Sequence, residues 1–79
     1  MNGPLQAEQV REIISKARTK INLEELKDGD DLREAGADSL DMMTIILDVS
    51  ELTGVEVPDE DVEDLATING IVKYIGERS

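Results

Sequence analysis

Residues 38–54 read Asp-Ser-Leu-Asp-Met-Met-Thr-Ile-Ile-Leu-Asp-Val-Ser-Glu-Leu-Thr-Gly, and this stretch decides the fold. Leu40, Met43, Ile46 and Leu47 recur at helical spacing and form one stripe. Met42, Ile45, Val49 and Leu52 widen that stripe beyond the arc a surface helix normally shows. Asp38 is a suitable N-cap, and Asp41 three residues later takes the capping-box position with Asp in place of Glu. Gly54 is the expected stop, since glycine tolerates the left-handed conformation that ends many helices. The pattern predicts a helix over 39–53. A helix this apolar either occupies the centre of a small core or shares a face with a ligand or partner.

Working outward, Val55-Glu56-Val57 is extended, because the residue before Pro58 is pushed out of the helical region. Pro58-Asp59-Glu60-Asp61 then starts a short helix with acids in its first turn, ending near Leu65. Thr67 is the N-cap expected for a last helix, whose Ile68, Ile71, Val72 and Ile75 follow the i, i+3, i+4, i+7 rule. Upstream, Leu5, Val10, Ile13, Ile14, Ala17 and Ile21 mark the inner face of a first helix over roughly 5–20, with Glu8, Arg11, Glu12, Lys16 and Arg18 opposite. Between them, 22–38 loses periodicity and carries Gly29 and Gly36. A structureless segment of that length is unusual in a small domain, and Leu23, Leu26 and Leu32 are placed to pin it across the core. The expected fold is all-α: one domain over 1–79, built as a small bundle of three principal helices plus one short helix, with a long loop between the first and second.

Composition excludes several function classes. The chain has 79 residues and neither Cys nor His. It offers no disulfide, no thiolate or imidazole metal ligand, and no imidazole base for proton transfer. Net charge is −11, from 19 acids and 8 bases. Nucleic acids and anionic membrane surfaces are therefore poor partners, and basic protein surfaces good ones. The charge is uneven: from Glu34 to Val72 eleven acids occur without one base, whereas seven acids and six bases precede them. No segment reaches the roughly 18 apolar residues of a membrane span. Met1-Asn2-Gly3-Pro4 lacks the layout of a signal peptide, so a cytoplasmic monomer is expected.

Ser39 is the residue most suited to carrying chemistry. It cannot be a triad nucleophile, since no His exists to accept its proton. Asp28-x-Asp30 and Asp59-x-Asp61 begin like calcium loops, but the sixth positions are Arg33 and Asp64 where glycine is required. No metal site is expected. Leu32-Arg33-Glu34-Ala35-Gly36-Ala37-Asp38-Ser39-Leu40-Asp41 resembles the acyl carrier protein family, matching its Gly-x-Asp-Ser-Leu signature at Gly36, Asp38, Ser39 and Leu40. The resemblance extends along the chain, through the following helix, Val57-Pro58-Asp59-Glu60 and the closing Ile-rich helix. It implies a carrier without catalysis of its own. Ser39 would hold a covalent 4′-phosphopantetheine arm, drawn from coenzyme A by a phosphopantetheinyl transferase. The arm would carry an acyl thioester to enzymes of fatty acid, lipid or polyketide synthesis.

The resemblance also implies Asp38, Leu40 and Asp41 as contacts for the transferase. Helical spacing places Met43, Thr44 and Leu47 on the Leu40 face, so that with Val57 they are expected to dock enzymes with basic surfaces, although Leu40, Met43 and Leu47 could equally face the core. The resemblance further implies that acyl chains enter between helices, although Ile46, Val49, Ile68, Ile71, Val72 and Ile75 are most simply core. The chain departs from the family at Ala35, where many members have Leu. Thr44 and Ser50 stand where fatty-acid carriers usually have acids. A peptidyl or aminoacyl carrier would share the serine and the fold. An acidic helical interaction module that is never modified would share the composition.

Overall fold

A computed structural model describes residues 5–17 and 19–78 of the chain. The order of elements is α1 (Ala7–Lys16), α2 (Leu32–Ala35), α3 (Ser39–Thr53), a 3-10 helix (Asp59–Leu65) and α4 (Ile68–Arg78). No strand occurs among the described residues. The core is aliphatic: Val10, Ile13, Ile14, Leu32, Met42, Ile45, Val49, Leu65, Ile68, Ile71 and Ile75 are all buried. Helix α1 packs against both α3 and α4, and the 3-10 helix packs against α4.

The three principal helices form where their spacing places them, but α1 is shorter than its apolar pattern. It begins after Gln6, whose N–H donates to Gln9 Oε1 at 2.8 Å, and its C-cap is Ala17. Leu5 and Ile21 are buried without being helical. The pattern therefore records burial, which outlasts the helix at both ends. Arg18, expected on the outer face, lies outside the described residues.

The stretch between α1 and α3 is pinned as its leucines imply, with Leu26 and Leu32 buried and Leu23 packed on the core. It also holds the one-turn helix α2, which periodicity did not reveal. A single turn has no stability of its own. Asp31 caps α2 by accepting from the Arg33 N–H at 2.8 Å. The Leu32 N–H donates to the Ala66 carbonyl at 2.8 Å. The fully buried Leu32 side chain contributes about 1.5–3 kcal/mol by leaving water. Arg11 of α1 clamps the preceding segment from one side. Its guanidinium donates to the Leu23 carbonyl at 3.1 Å, the Leu26 carbonyl at 2.7 Å and Asp28 Oδ1 at 2.7 Å. From the other side the Asn69 N–H donates to the Asp28 carbonyl at 3.0 Å.

The short acidic helix is a 3-10 helix. Its residues are Asp-Glu-Asp-Val-Glu-Asp-Leu, so Val62 and Leu65 alone can face the core. They are three apart, the spacing that 3-10 geometry eclipses on one side. Thr67 caps α4 as expected, accepting from the Gly70 N–H at 2.9 Å. Tyr74 joins the core at 5% exposure and donates its hydroxyl to Asp61 Oδ2 at 2.6 Å. The Arg78 guanidinium lies 3.6 Å from the centre of its ring. The hydrogen bond to Asp61 is the main cause of a Tyr74 pKa raised above the ordinary 10.0, with burial second.

Candidate functional site

Ser39 is the first residue of α3 and is exposed. The chain reaches it through a constrained turn. Gly36 ends α2 at φ 133°, and a Cβ there would lie 3.2 Å from the Lys20 carbonyl carbon. Glycine is required for both reasons: the backbone angle is one L side chains rarely adopt, and the segment leaving α1 passes close by. Ala37 is buried and donates its N–H to the Leu32 carbonyl at 3.0 Å. Asp38 then caps α3. Its Oδ1 accepts from the Asp41 N–H at 2.8 Å, and Asp41 Oδ2 accepts from the Asp38 N–H at 3.2 Å. The capping box expected from sequence is thus closed, with Asp reaching back where Glu is usual. At the other end, Gly54 takes the left-handed conformation at φ 75°.

The wide apolar arc of α3 divides into two faces. Met42, Ile45, Ile46 and Val49 are buried, while Leu40, Met43 and Leu47 stand 74%, 60% and 59% exposed. Surface residues this apolar, aligned at i, i+3 and i+7, form a continuous strip and not the scattered exposure ordinary for a soluble domain. The strip forms one wall of a groove of about 280 Å³. Its floor is Ile46, and its far wall is Val57, Asp59 and Val62. Thr44 and Ser50 add hydroxyls to the α3 wall, and Thr44 Oγ1 turns back to donate to the Leu40 carbonyl at 3.0 Å.

Of the residues singled out from sequence, Leu40, Met43, Thr44, Leu47 and Val57 share this groove. Asp38 and Asp41 lie at its Ser39 end, engaged in the cap. Val62 and Asp59 were missed as groove residues, because nothing local says which way a short acidic helix turns. The Asp61–Tyr74 pair was missed because its members are thirteen residues apart and neither fits a motif. The remaining acids of α3, Asp48 and Glu51, face elsewhere. They line a separate groove with Gln9, Glu12, Ile13 and Lys16 of α1.

The site thus defines a class: a small helical domain that displays a hydroxyl on a rigid helix start beside an apolar channel. Residues 8–75 match the family model described as a phosphopantetheine attachment site. The acyl carrier protein of Wolinella succinogenes is 32% identical over 69 residues, spanning 86% of this chain and 90% of that protein. The acyl carrier protein of Helicobacter pylori is 31% identical over 68 residues, spanning 86% of this chain and 87% of that one. The chain belongs to the acyl carrier protein family, whose members are carriers and not enzymes, and its cofactor is 4′-phosphopantetheine. The residues present fit that group. An exposed hydroxyl at the N-terminus of a long helix can carry the group. The helix N–H groups favour its phosphodiester, whereas the Asp38 and Asp41 carboxylates, which occupy two of the local N–H groups, oppose tight capture and leave the arm free to move.

Proposed function

We propose that this chain carries acyl intermediates as thioesters on an arm attached at Ser39 and delivers them to enzymes of fatty acid, lipid or polyketide synthesis. One observation carries the reading: Ser39 is exposed on the first turn of a doubly capped helix, and an apolar groove opens one residue further on at Leu40. The chain has no Cys, so the arm supplies the thiol that holds the cargo. The protein's own residues do the rest. Asp38, Asp41 and Gly54 hold α3 at fixed length and angle. The groove beside Ser39 shelters the chain of the cargo. The transferase that installs the arm meets Asp38, Leu40 and Asp41.

The test is intact mass after incubation with coenzyme A and a phosphopantetheinyl transferase. The wild-type chain should gain one arm and Ser39→Ala none. Ser15, Ser50 and Ser79 lack the Gly-x-Asp-Ser-Leu context, and a gain of mass in Ser39→Ala would refute the assignment.

Docking to basic enzymes uses the strip Leu40, Met43 and Leu47 as its apolar anchor. Thr44 and Ser50 border the strip where an acid would add charge, and Asp48 and Glu51 are turned away toward α1. Docking therefore leans on apolar contact, with a shallow dependence on salt. Thr44→Glu should tighten binding to a fatty-acid-type ketosynthase at low salt and steepen its salt dependence. Unchanged affinity and slope would remove Thr44 from partner choice.

A further inference from the structure

The groove beside Ser39 has two unlike walls. One is α3, fifteen residues long and capped at both ends. The other is Val57, Asp59 and Val62, from the extended segment and the front half of the 3-10 helix. The back of that helix is anchored, since Leu65 is buried and the Ala66 carbonyl accepts from the Leu32 N–H at 2.8 Å. Its front is tied by a side chain: Tyr74 donates to Asp61 Oδ2 at 2.6 Å. Tyr74 is itself immobilised. Its ring is buried in α4 and covered by the Arg78 guanidinium, which also donates to the Tyr74 carbonyl at 3.3 Å. A short hydrogen bond to a carboxylate is among the stronger kinds.

The groove's volume of about 280 Å³ corresponds to roughly nine non-hydrogen atoms, taking about 30 Å³ for each, the share of a water molecule in the liquid. A short acyl chain fits it as it stands. A longer one overruns the open groove, and to be sheltered along its length it must push the wall outward about its anchor at Leu65 and Ala66, against the Tyr74–Asp61 bond.

We propose that Tyr74, acting through Asp61, is a positioning residue that sets the length of acyl chain the groove shelters. The inference rests on the proposed attachment at Ser39 and entry of the chain into this groove. Tyr74 touches neither arm nor cargo. It holds the wall that the cargo would displace. The bond breaks and reforms without covalent change, so longer chains are disfavoured by its loss and shorter ones are not.

The experiment loads the wild-type chain, Tyr74→Phe and Asp61→Asn with hexanoyl or myristoyl arms and follows thioester cleavage by hydroxylamine. Amide hydrogen exchange is read in parallel. In the wild type, hexanoyl should be cleaved more slowly than a free hexanoyl thioester, and myristoyl faster than hexanoyl. Tyr74→Phe should slow myristoyl cleavage about ten- to a hundredfold, the range for loss of one hydrogen bond to a charged group, and leave hexanoyl unchanged. Asp61→Asn should act in the same direction and less. Exchange should quicken at residues 59–62 and stay constant in α1. An unchanged ratio of myristoyl to hexanoyl cleavage in both variants overturns the proposal. So does faster exchange spread evenly over α1 and the 3-10 helix, which would make Tyr74 a general stabiliser. If wild-type hexanoyl is cleaved as fast as the free thioester, the sheltering groove itself is wrong, and the role of Tyr74 falls with it.

Discussion

Helix α4 contains two glycines, Gly70 and Gly76, and the structure assigns them opposite responses to the same substitution. Helix propensity favours alanine over glycine by about 0.5–1 kcal/mol at an interior position. At Gly76 a Cβ would meet nothing within 4 Å, so Gly76→Ala should realise that gain. At Gly70 a Cβ would lie 2.6 Å from the Asp64 carbonyl oxygen and 3.0 Å from Thr67 Oγ1. The first contact is to backbone and cannot be relieved by a rotamer change. Ordinary contact begins at 3.4 Å, so the carbonyl must retreat by most of an ångström. Overpacking of this kind costs about 1–3 kcal/mol, which exceeds the propensity gain. The net expectation is a loss of about 1–2 kcal/mol for Gly70→Ala, from overpacking less propensity. In a domain of this size that lowers Tm by roughly 4–16 °C, whereas Gly76→Ala raises it by roughly 2–8 °C. Urea unfolding followed by circular dichroism measures both, and the slope should stay constant if only stability changes. Stabilisation by both substitutions would refute the reasoning, for it would mean that Asp64 and the end of the 3-10 helix yield freely. That end is the anchor about which the groove wall is argued to turn.

Other outcomes follow from the same geometry. Eleven acids without a base between Glu34 and Val72 repel one another in the folded chain, so moderate salt should raise Tm by screening them; an equal Tm at low and moderate salt would contradict this. Leu47→Ala should change stability by no more than about 0.5 kcal/mol, as expected of an exposed residue, while Ile45→Ala costs about 2–5 kcal/mol as a cavity in the core; the reverse order in urea unfolding would reverse the two faces of α3. The Tyr74 pKa is raised chiefly by its hydrogen bond to Asp61, then by burial, with Asp64 adding to the shift and Arg78 opposing it. Stability from this group is full below the unfolded value and is lost as pH rises through the higher folded value. Alkaline unfolding should therefore begin earlier in the wild type than in Tyr74→Phe, relative to each protein's own stability at neutral pH.

The parts of this fold legible in sequence are those decided by neighbours along the chain. Asp38, Asp41 and Gly54 bound α3 because capping is local chemistry, and Thr67 starts α4 for the same reason. The inner stripe of α1 was legible too, but its ends were not, since Leu5 and Ile21 are buried from outside the helix. Helix α2 escaped because one turn is shorter than the period that would reveal it. Its stability comes from Leu32 in the core and from the Ala66 carbonyl far along the chain. Ser39 could be singled out from its motif and five residues of the groove beside it from the sequence, whereas the part of its far wall made by Asp59 and Val62 could not. Met42 and Met43 are identical side chains one residue apart, and one is 1% exposed and the other 60%. A helix apolar on both sides does not announce which side is covered.

That ambiguity has a physical counterpart in the finished protein. Each turn of α3 contributes to two surfaces, one that holds the domain together and one that faces outward. In a chain of 79 residues the core is small and stability correspondingly modest, so a helix wholly committed to the core would be the more stabilising choice. Leaving Leu40, Met43 and Leu47 outside forgoes that burial, while the net charge of −11 opposes association between copies of the chain. The acidic half works against folding through self-repulsion and, under the proposed function, would favour the approach of basic enzymes. Substitutions that neutralise it should make the carrier more stable and less discriminating together.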